Sequence, residues 1–250
     1  MKTIYKKPEV LTDAITNYCG GCGHGIVGKL IAELIDEMEL QENSIMVWPV
    51  GCSCLSDRYY KMDTITAMHG RAPATATGIK RAEPDKLVIV YQGDGDLVSE
   101  GMAEIMHAAV RGEKLSIVFM NNAIFGMTGG QMAATTLLGQ KASTAPTGRM
   151  IDTSGYPVQM AELLANMPGV SYSARVTVNT PARIRECKKA IKKIFEMQMS
   201  GNYGVCFVEV LSPCPTGWNV TPVESLKWID EKMTEVYPLG VIKDEEVTGA

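Results

Sequence analysis

Two groups of side chains in this 250-residue sequence have types and spacings suited to chemistry, one of oxygen donors and one of thiols. Asp94 sits between two glycines in Gln92-Gly-Asp-Gly-Asp96, and Asn122 closes the pair Asn121-Asn122. A hard cation such as Mg2+ takes oxygen ligands in octahedral geometry, usually one or two carboxylates or amides plus phosphate oxygens. Asp94, Asn122 and a main-chain carbonyl would supply that set, and Gly93 and Gly95 would let the backbone approach a diphosphate. Either half alone is more often a strand-end turn; the two together are far more specific. The thiols are Cys19-x-x-Cys22, Cys52, Cys54, Cys187, Cys206 and Cys214. By spacing alone, a C-x-x-C with two distant cysteines fits a tetrahedral zinc site and an iron-sulfur cluster equally. Cys187 on a helix face and Cys206 inside a strand read as small core residues.

The elements that must position these groups read as α/β: a single doubly wound domain over residues 1–250 with a mainly parallel sheet. Ile26, Val27, Leu30, Ile31, Leu34, Ile35 and Met38 recur at helical spacing just after the glycines around Cys22. Residues 44–50 read as a buried strand that delivers Cys52 to a loop. Residues 72–82 suit a tightly packed helix of small residues. A strand over 87–91, a helix using Met102, Ile105, Met106, Ala109 and Val110, and a strand over 115–120 make the crossover unit of a parallel sheet. Ligands in such sheets sit beyond the carboxyl ends of the strands, where both Asp94 and Asn122 fall. Residues 126–155, rich in Gly, Thr, Ala and Met and weakly periodic, predict a long ligand-covering loop. Helices over 158–166 and 184–195 and strands over 170–176 and 205–210 complete the pattern.

Composition narrows the function classes. A net charge of −4 gives no global basic field, so neither nucleic acid nor an anionic membrane is an expected partner. No apolar h-region follows the charged stretch from Met1 to Lys7, and no run approaches the roughly 20 apolar residues that cross a bilayer, so a cytoplasmic location is expected. Seven cysteines in that setting are reduced, and some should bind metal. His24 and His107 read as structural hydrogen bonders. Lys188, Lys189, Lys192 and Lys193 read as the solvated face of a helix.

Gly93-Asp94-Gly95 followed by Asn121-Asn122 resembles the thiamine diphosphate fingerprint. The continuation through Gly126-Met-Thr-Gly-Gly-Gln131 resembles the thiamine-binding, beta-type subunit of the 2-oxoacid:ferredoxin oxidoreductases. The resemblance runs from Tyr18 to about Leu239. It favours the 2-oxoisovalerate (branched-chain) type, on Tyr18-Cys to His24-Gly25, Pro49-Val-Gly-Cys-Ser53, His69-Gly-Arg-Ala-Pro73 and Cys214-Pro-Thr216. It implies a thiamine-diphosphate-binding fold with Mg2+ on Asp94, Asn122 and the carbonyl of Ile124. It places Gly51, Cys52, Ser53, Gly70, Asp96, Thr128, Gly129, Gly130 and Gln131 at the cofactor with Gly93 and Gly95. His69 and Arg71 are the implied catalytic residues. Cys19, Cys22, Cys52 and Cys214 resemble the ligands of a proximal [4Fe-4S] cluster, with Cys54 the alternative to Cys52. The usual Pro between the first two cysteines is replaced here, giving Cys-Gly-Gly-Cys.

The implied reaction is the oxidative decarboxylation of a 2-oxo acid with coenzyme A and ferredoxin. Leu55 stands where relatives that use 2-oxoglutarate carry a basic residue, which favours an apolar substrate tail, although Arg58 is near. A pyruvate- or 2-oxoglutarate-specific member is the alternative, and a non-oxidative thiamine enzyme with structural zinc is the rival class. The sequence lacks both the domain whose glutamate activates the aminopyrimidine and the dense cysteine runs of a two-cluster ferredoxin. The expected partners are therefore a pyrimidine-binding subunit and a ferredoxin-like iron-sulfur subunit.

Overall fold

The short runs rich in Val, Ile and Met become strands buried on both faces, as parallel strands covered by helices must be. In the computed structural model, which describes residues 6–201 and 203–245, the strands are β1 (Ser44–Trp48), β2 (Asp63–Thr66), β3 (Leu87–Gly93), β4 (Ser116–Asn121), β5 (Val170–Thr177), β6 (Val205–Leu211) and β7 (Gly240–Asp244). Residues 1–5 of the charged lead-in lie outside the described residues. All seven strands form one sheet in the order β2-β1-β3-β4-β6-β5-β7, parallel except for β7, which pairs antiparallel with β5. The expected α/β architecture is thus present. The edge strands β2 and β7 are mostly exposed, so they carry none of the apolar pattern that marks the central strands in sequence.

The helices are α1 (Gly23–Glu37), α2 (Ala72–Ala82), α3 (Met102–Arg111), the single turn α4 (Ile151–Ser154), α5 (Met160–Ala165), α6 (Pro181–Ser200), and the short α7 (Pro215–Trp218), α8 (Pro222–Trp228) and α9 (Thr234–Val236). Because successive strand residues point to opposite faces, Met46, Ile89, Tyr91, Val118 and Val208 pack under α1 and α6. Val47, Val88, Val90, Phe119 and Phe207 pack under α2, α3 and α5. Each such side chain contributes roughly 1.5–3 kcal/mol by leaving water. Thr180 caps α6 by accepting from the Arg183 amide at 3.3 Å, Pro181 pre-sets its first turn, and Gly201 ends it in the left-handed region. Thr221 and Glu224 form a reciprocal capping box on α8.

Strand register decides what meets at the carboxyl edge. Gly93 of β3 lies opposite Met120 of β4, so Asp94 is level with Asn121, one residue before Asn122 on the neighbouring strand. Asn121 lies opposite Leu211, after which β6 leads into Ser212-Pro-Cys214. β1 leads into Gly51 and a 3-10 turn over Cys52–Ser56.

One buried ion-pair network lies in the sheet beneath this edge. Arg175 and Glu209, both fully buried, face each other across β5 and β6, with Arg175 Nε donating to Glu209 Oε2 at 2.9 Å. The guanidinium also donates to both carboxylate oxygens of Glu162 on α5, at 2.6 and 2.5 Å. Glu209 accepts from Asn121 Nδ2 at 2.7 Å, which joins the network to the start of the site.

Candidate functional site

Four strand ends build the site. The chain turns sharply after β4: Asn121 Oδ1 accepts from the Ala123 amide at 3.0 Å, and Asn122 Oδ1 accepts from the Ile124 amide at 3.2 Å. Ala123 itself is held in the left-handed region at φ 56°, a conformation uncommon for a residue with a Cβ and one that persists where its surroundings fix it. Its carbonyl accepts from Thr136 Oγ1 at 2.7 Å and from Gln140 Nε2 at 3.1 Å.

Asp94 is 1 % exposed. Burial pushes its carboxyl pKa up to about 7, against the Thr135 hydroxyl and the Gly95 and Ile124 amides, which pull it down. Its Oδ1 accepts from the Gly95 amide at 2.9 Å and its Oδ2 from Thr135 Oγ1, both neutral donors. A carboxylate in such a place is held ionised by a bound cation, which inverts the local preference. Oxygen donors from Asp94, Asn122 and the Ile124 carbonyl fit Mg2+ chemically. Asp94, Asn122 and Ile124 all line one pocket of about 560 Å3, open mouth included. Its lining also includes the predicted Gly51, Cys52, Ser53, His69, Gly93, Gly95, Asp96 and Thr128, together with His24, Val50, Phe125, Gly126 and Met127.

The two glycines flanking Asp94 differ. Gly93 has open space where a side chain would stand, whereas a Cβ on Gly95 would come within 2.4 Å of the Phe125 ring. Gly95 thus makes room for Phe125, a contact that no pattern in the sequence signals.

The thiols approach from the other side. An ideal Cβ on Gly126 would lie 3.2 Å from Cys214 Sγ, 3.6 Å from Asn122 Nδ2 and 3.9 Å from Cys52 Sγ. The Cys19–Cys22 turn closes through a bond from the Cys22 amide to the Cys19 carbonyl at 3.0 Å, and the Gly23 amide donates to the Pro213 carbonyl at 3.3 Å. That bond ties the start of α1 to the segment bearing Cys214. Burial raises the thiol pKa values, to about 11 for Cys22 and about 12 for Cys52 and Cys214. The thiolates also repel one another: Cys52 feels Cys22, Cys19, Cys54 and Asp94, and Cys214 feels Cys22, Cys52 and Asp94. A metal centre that deprotonates its thiols outright is the chemical complement of such a group. Cys54 packs instead against the core under α1. Among the described residues no three or more His, Cys, Asp or Glu close tightly enough to hold a single metal ion. Cys187 and Cys206 are buried core residues, and all seven cysteines are free thiols.

Other predicted residues take different places. Asp96 is buried facing His69, and its oxygens accept from the Gly70 amide at 2.8 Å and from Gln92 Nε2. The carboxylate therefore orients the His69 segment, and His69 packs 6.4 Å from Phe125 between ring centroids. Gly70 has φ 75°, and a Cβ there would stand 2.8 Å from the Glu100 backbone, which explains the glycine. Arg71 is outside the pocket lining; it is half-exposed and pairs with Glu104 on α3. Thr128 and Gln131 bond to each other, Oγ1 to Oε1 at 2.6 Å and Nε2 to the Thr128 carbonyl at 2.8 Å. Gly129, Gly130 and Gln131 follow Thr128 outside the lining. Leu55 and Arg58 are also outside it. His24, read as structural, is buried with Nδ1 2.6 Å from the Tyr91 hydroxyl and also borders the pocket.

This fold and edge define a thiamine-diphosphate-binding domain: residues 48–210 match the thiamine pyrophosphate enzyme, C-terminal TPP binding domain family. The chain is 46% identical over 253 residues to the ketoisovalerate oxidoreductase subunit VorA of Methanothermobacter thermautotrophicus, covering 97% of this chain and 53% of that protein. It is 36% identical to the 2-oxoglutarate synthase subunit KorB of Methanocaldococcus jannaschii, covering 93% and 83%. The fold matches 2-oxoglutarate:ferredoxin oxidoreductase from Magnetococcus marinus, solved with 2-oxoglutarate, coenzyme A and succinyl-CoA bound, at a TM-score of 0.79 and 23% identity, covering 100% and 87%. The chain belongs to the thiamine-diphosphate-binding, beta-type subunits of the 2-oxoacid:ferredoxin oxidoreductase family, with stronger similarity to the ketoisovalerate members than to KorB. It spans about half the length of the ketoisovalerate relatives. Among the described residues no helix is long and apolar enough to cross a membrane.

Proposed function

We propose that this chain, as one thiamine-diphosphate-binding domain, is the subunit of a cytoplasmic, coenzyme A-acylating 2-oxoacid:ferredoxin oxidoreductase. The observation that carries the proposal is the approach of Asn122, Cys52 and Cys214 to one point beside Gly126. It puts the side chain of Asn122, a candidate Mg2+ ligand, close to Cys52 and Cys214, two of the four candidate thiol ligands of an electron acceptor. Asp94, Asn122 and the Ile124 carbonyl would hold Mg2+ and through it the diphosphate; Cys19, Cys22, Cys52 and Cys214 would hold a [4Fe-4S] cluster. When bound, thiamine diphosphate supplies the electron sink for cleavage of the bond between the carboxylate and the carbonyl carbon.

The residues of this chain bind and orient. Asp96 faces the His69 ring in the pocket wall, and Phe125, packed on Gly95, forms one side of the pocket. In the overall reaction the 2-oxo acid loses CO2, its acyl carbon bonds to the coenzyme A sulfur, the thiol proton is released, and an electron pair passes one electron at a time to ferredoxin. The apolar lining by Val50, Phe125 and Met127 supports 2-oxoisovalerate or a related branched-chain substrate. A pyrimidine-binding subunit and a ferredoxin-like subunit complete the enzyme in this reading.

Metal and cofactor analysis of the intact complex tests the proposal. Four irons, one magnesium and one thiamine diphosphate per copy of this chain are expected, as four-thiolate ligation of a cubane cluster implies. Zinc in place of iron, with no charge-transfer absorption, would refute it in favour of a non-oxidative thiamine enzyme.

A further inference from the structure

The loop between Ile124 and Val158 contains a side chain with an unusual commitment. Arg149 is 5 % exposed, and its guanidinium donates to six main-chain carbonyls. Three are Ala133, Ala134 and Thr136, at 3.3, 2.9 and 2.8 Å. The others, Gly155, Ser154 and Tyr156, lie at 3.0, 2.9 and 2.8 Å. A buried guanidinium satisfied by carbonyls fixes backbone in a way that a flexible ammonium would not.

The carbonyl that Arg149 skips, that of Thr135, accepts from the Tyr237 hydroxyl at 2.6 Å. The Ala134 amide donates to Ser99 Oγ at 2.9 Å, and the Ala133 amide donates to Thr136 Oγ1 at 2.9 Å. Residues 133–136 are therefore held on every side, and the fully buried Thr135 hydroxyl is aimed at Asp94 Oδ2. With Oδ1 already bonded to the Gly95 amide, both oxygens of the carboxylate are held by protein donors.

We propose that Thr135, clamped by Arg149 and Tyr237, is a positioning residue that presents the Asp94 carboxylate to the divalent cation. The assignment rests on the thiamine-diphosphate reading of Asp94. It makes the long loop a support for the metal ligand as well as a cover, and it makes a tyrosine next to α9 part of the site's rigidity.

The test uses the assembled holoenzyme, stripped with a chelator and titrated with Mg2+ at fixed thiamine diphosphate by calorimetry. Thr135→Val keeps the shape and removes the hydroxyl. Because a hydrogen bond to a charged group is lost, it should raise the Mg2+ needed for half-saturation by roughly ten- to a hundred-fold. Thr135→Ser should restore binding to within a few-fold of the wild type, and Tyr237→Phe, which removes the hydroxyl that holds the Thr135 carbonyl, should fall between them. Melting temperatures measured without cofactor separate loss of fold from loss of positioning. Should Thr135→Val fail to fold, the Tyr237→Phe and Thr135→Ser titrations carry the test. Wild-type Mg2+ affinity in folded Thr135→Val or in Tyr237→Phe would overturn the proposal. A wild-type enzyme without Mg2+-dependent thiamine diphosphate binding would instead overturn the reading of Asp94, so the two failures are distinguishable.

Discussion

A carboxylate as buried as Asp94 keeps its charge only when something positive faces it, and its own side-chain partners are a hydroxyl and an amide. Asp94→Ala should therefore abolish retention of thiamine diphosphate by the purified complex, measured by mass spectrometry of released cofactor. Iron content and the visible spectrum should change little, because the thiols are a separate ligand set. The same reasoning separates two cysteines two positions apart. Cys52 Sγ lies near Cys214 and Asn122 around Gly126, whereas Cys54, partly buried, packs against the core under α1. Cys52→Ser should lower bound iron and bleach the charge-transfer absorption, and Cys54→Ser should leave both near wild type.

At the scale of elements, the carboxyl ends of β3 and β4 are held level by register and braced from below by Arg175, Glu209 and Asn121. Removing one partner of a buried ion pair strands the other charge in a low dielectric. Arg175→Ala should consequently cost about 3–5 kcal/mol in denaturant unfolding, whereas Arg175→Met combined with Glu209→Leu should cost much less. Gly70→Ala belongs to the same scale. It adds a Cβ within 2.8 Å of the Glu100 backbone at a φ that disfavours side chains. A drop of roughly 1–3 kcal/mol in stability is expected, together with a displaced His69 segment.

For the whole molecule, this chain carries one wall of the proposed reaction site and about half the length of its ketoisovalerate relatives. Purified alone, it should show negligible turnover with any 2-oxo acid. Assembled with the partner subunits proposed above, it should rank branched-chain 2-oxo acids above pyruvate and 2-oxoglutarate in a substrate panel; preference for 2-oxoglutarate would reverse the proposed substrate and leave the proposed reaction class intact.

The sequence by itself determined the parallel α/β core, because strands buried on both faces and helices with one apolar face leave a periodic imprint. It also marked candidate residues for chemistry: Asp94 and Asn122 by type and place at strand ends, Cys19 and Cys22 by local spacing, and Cys52 and Cys214 by family resemblance. Only the tertiary structure decided which of these face one another. Arg71 left the pocket for Glu104, and Asp96 turned to His69. The supports, Phe125 in the space of Gly95, Thr135 on Asp94 and Arg149 among six carbonyls, involve contacts between distant residues and main-chain atoms. Such contacts have no local period or composition, so they arise only when the folded chain brings its loops together.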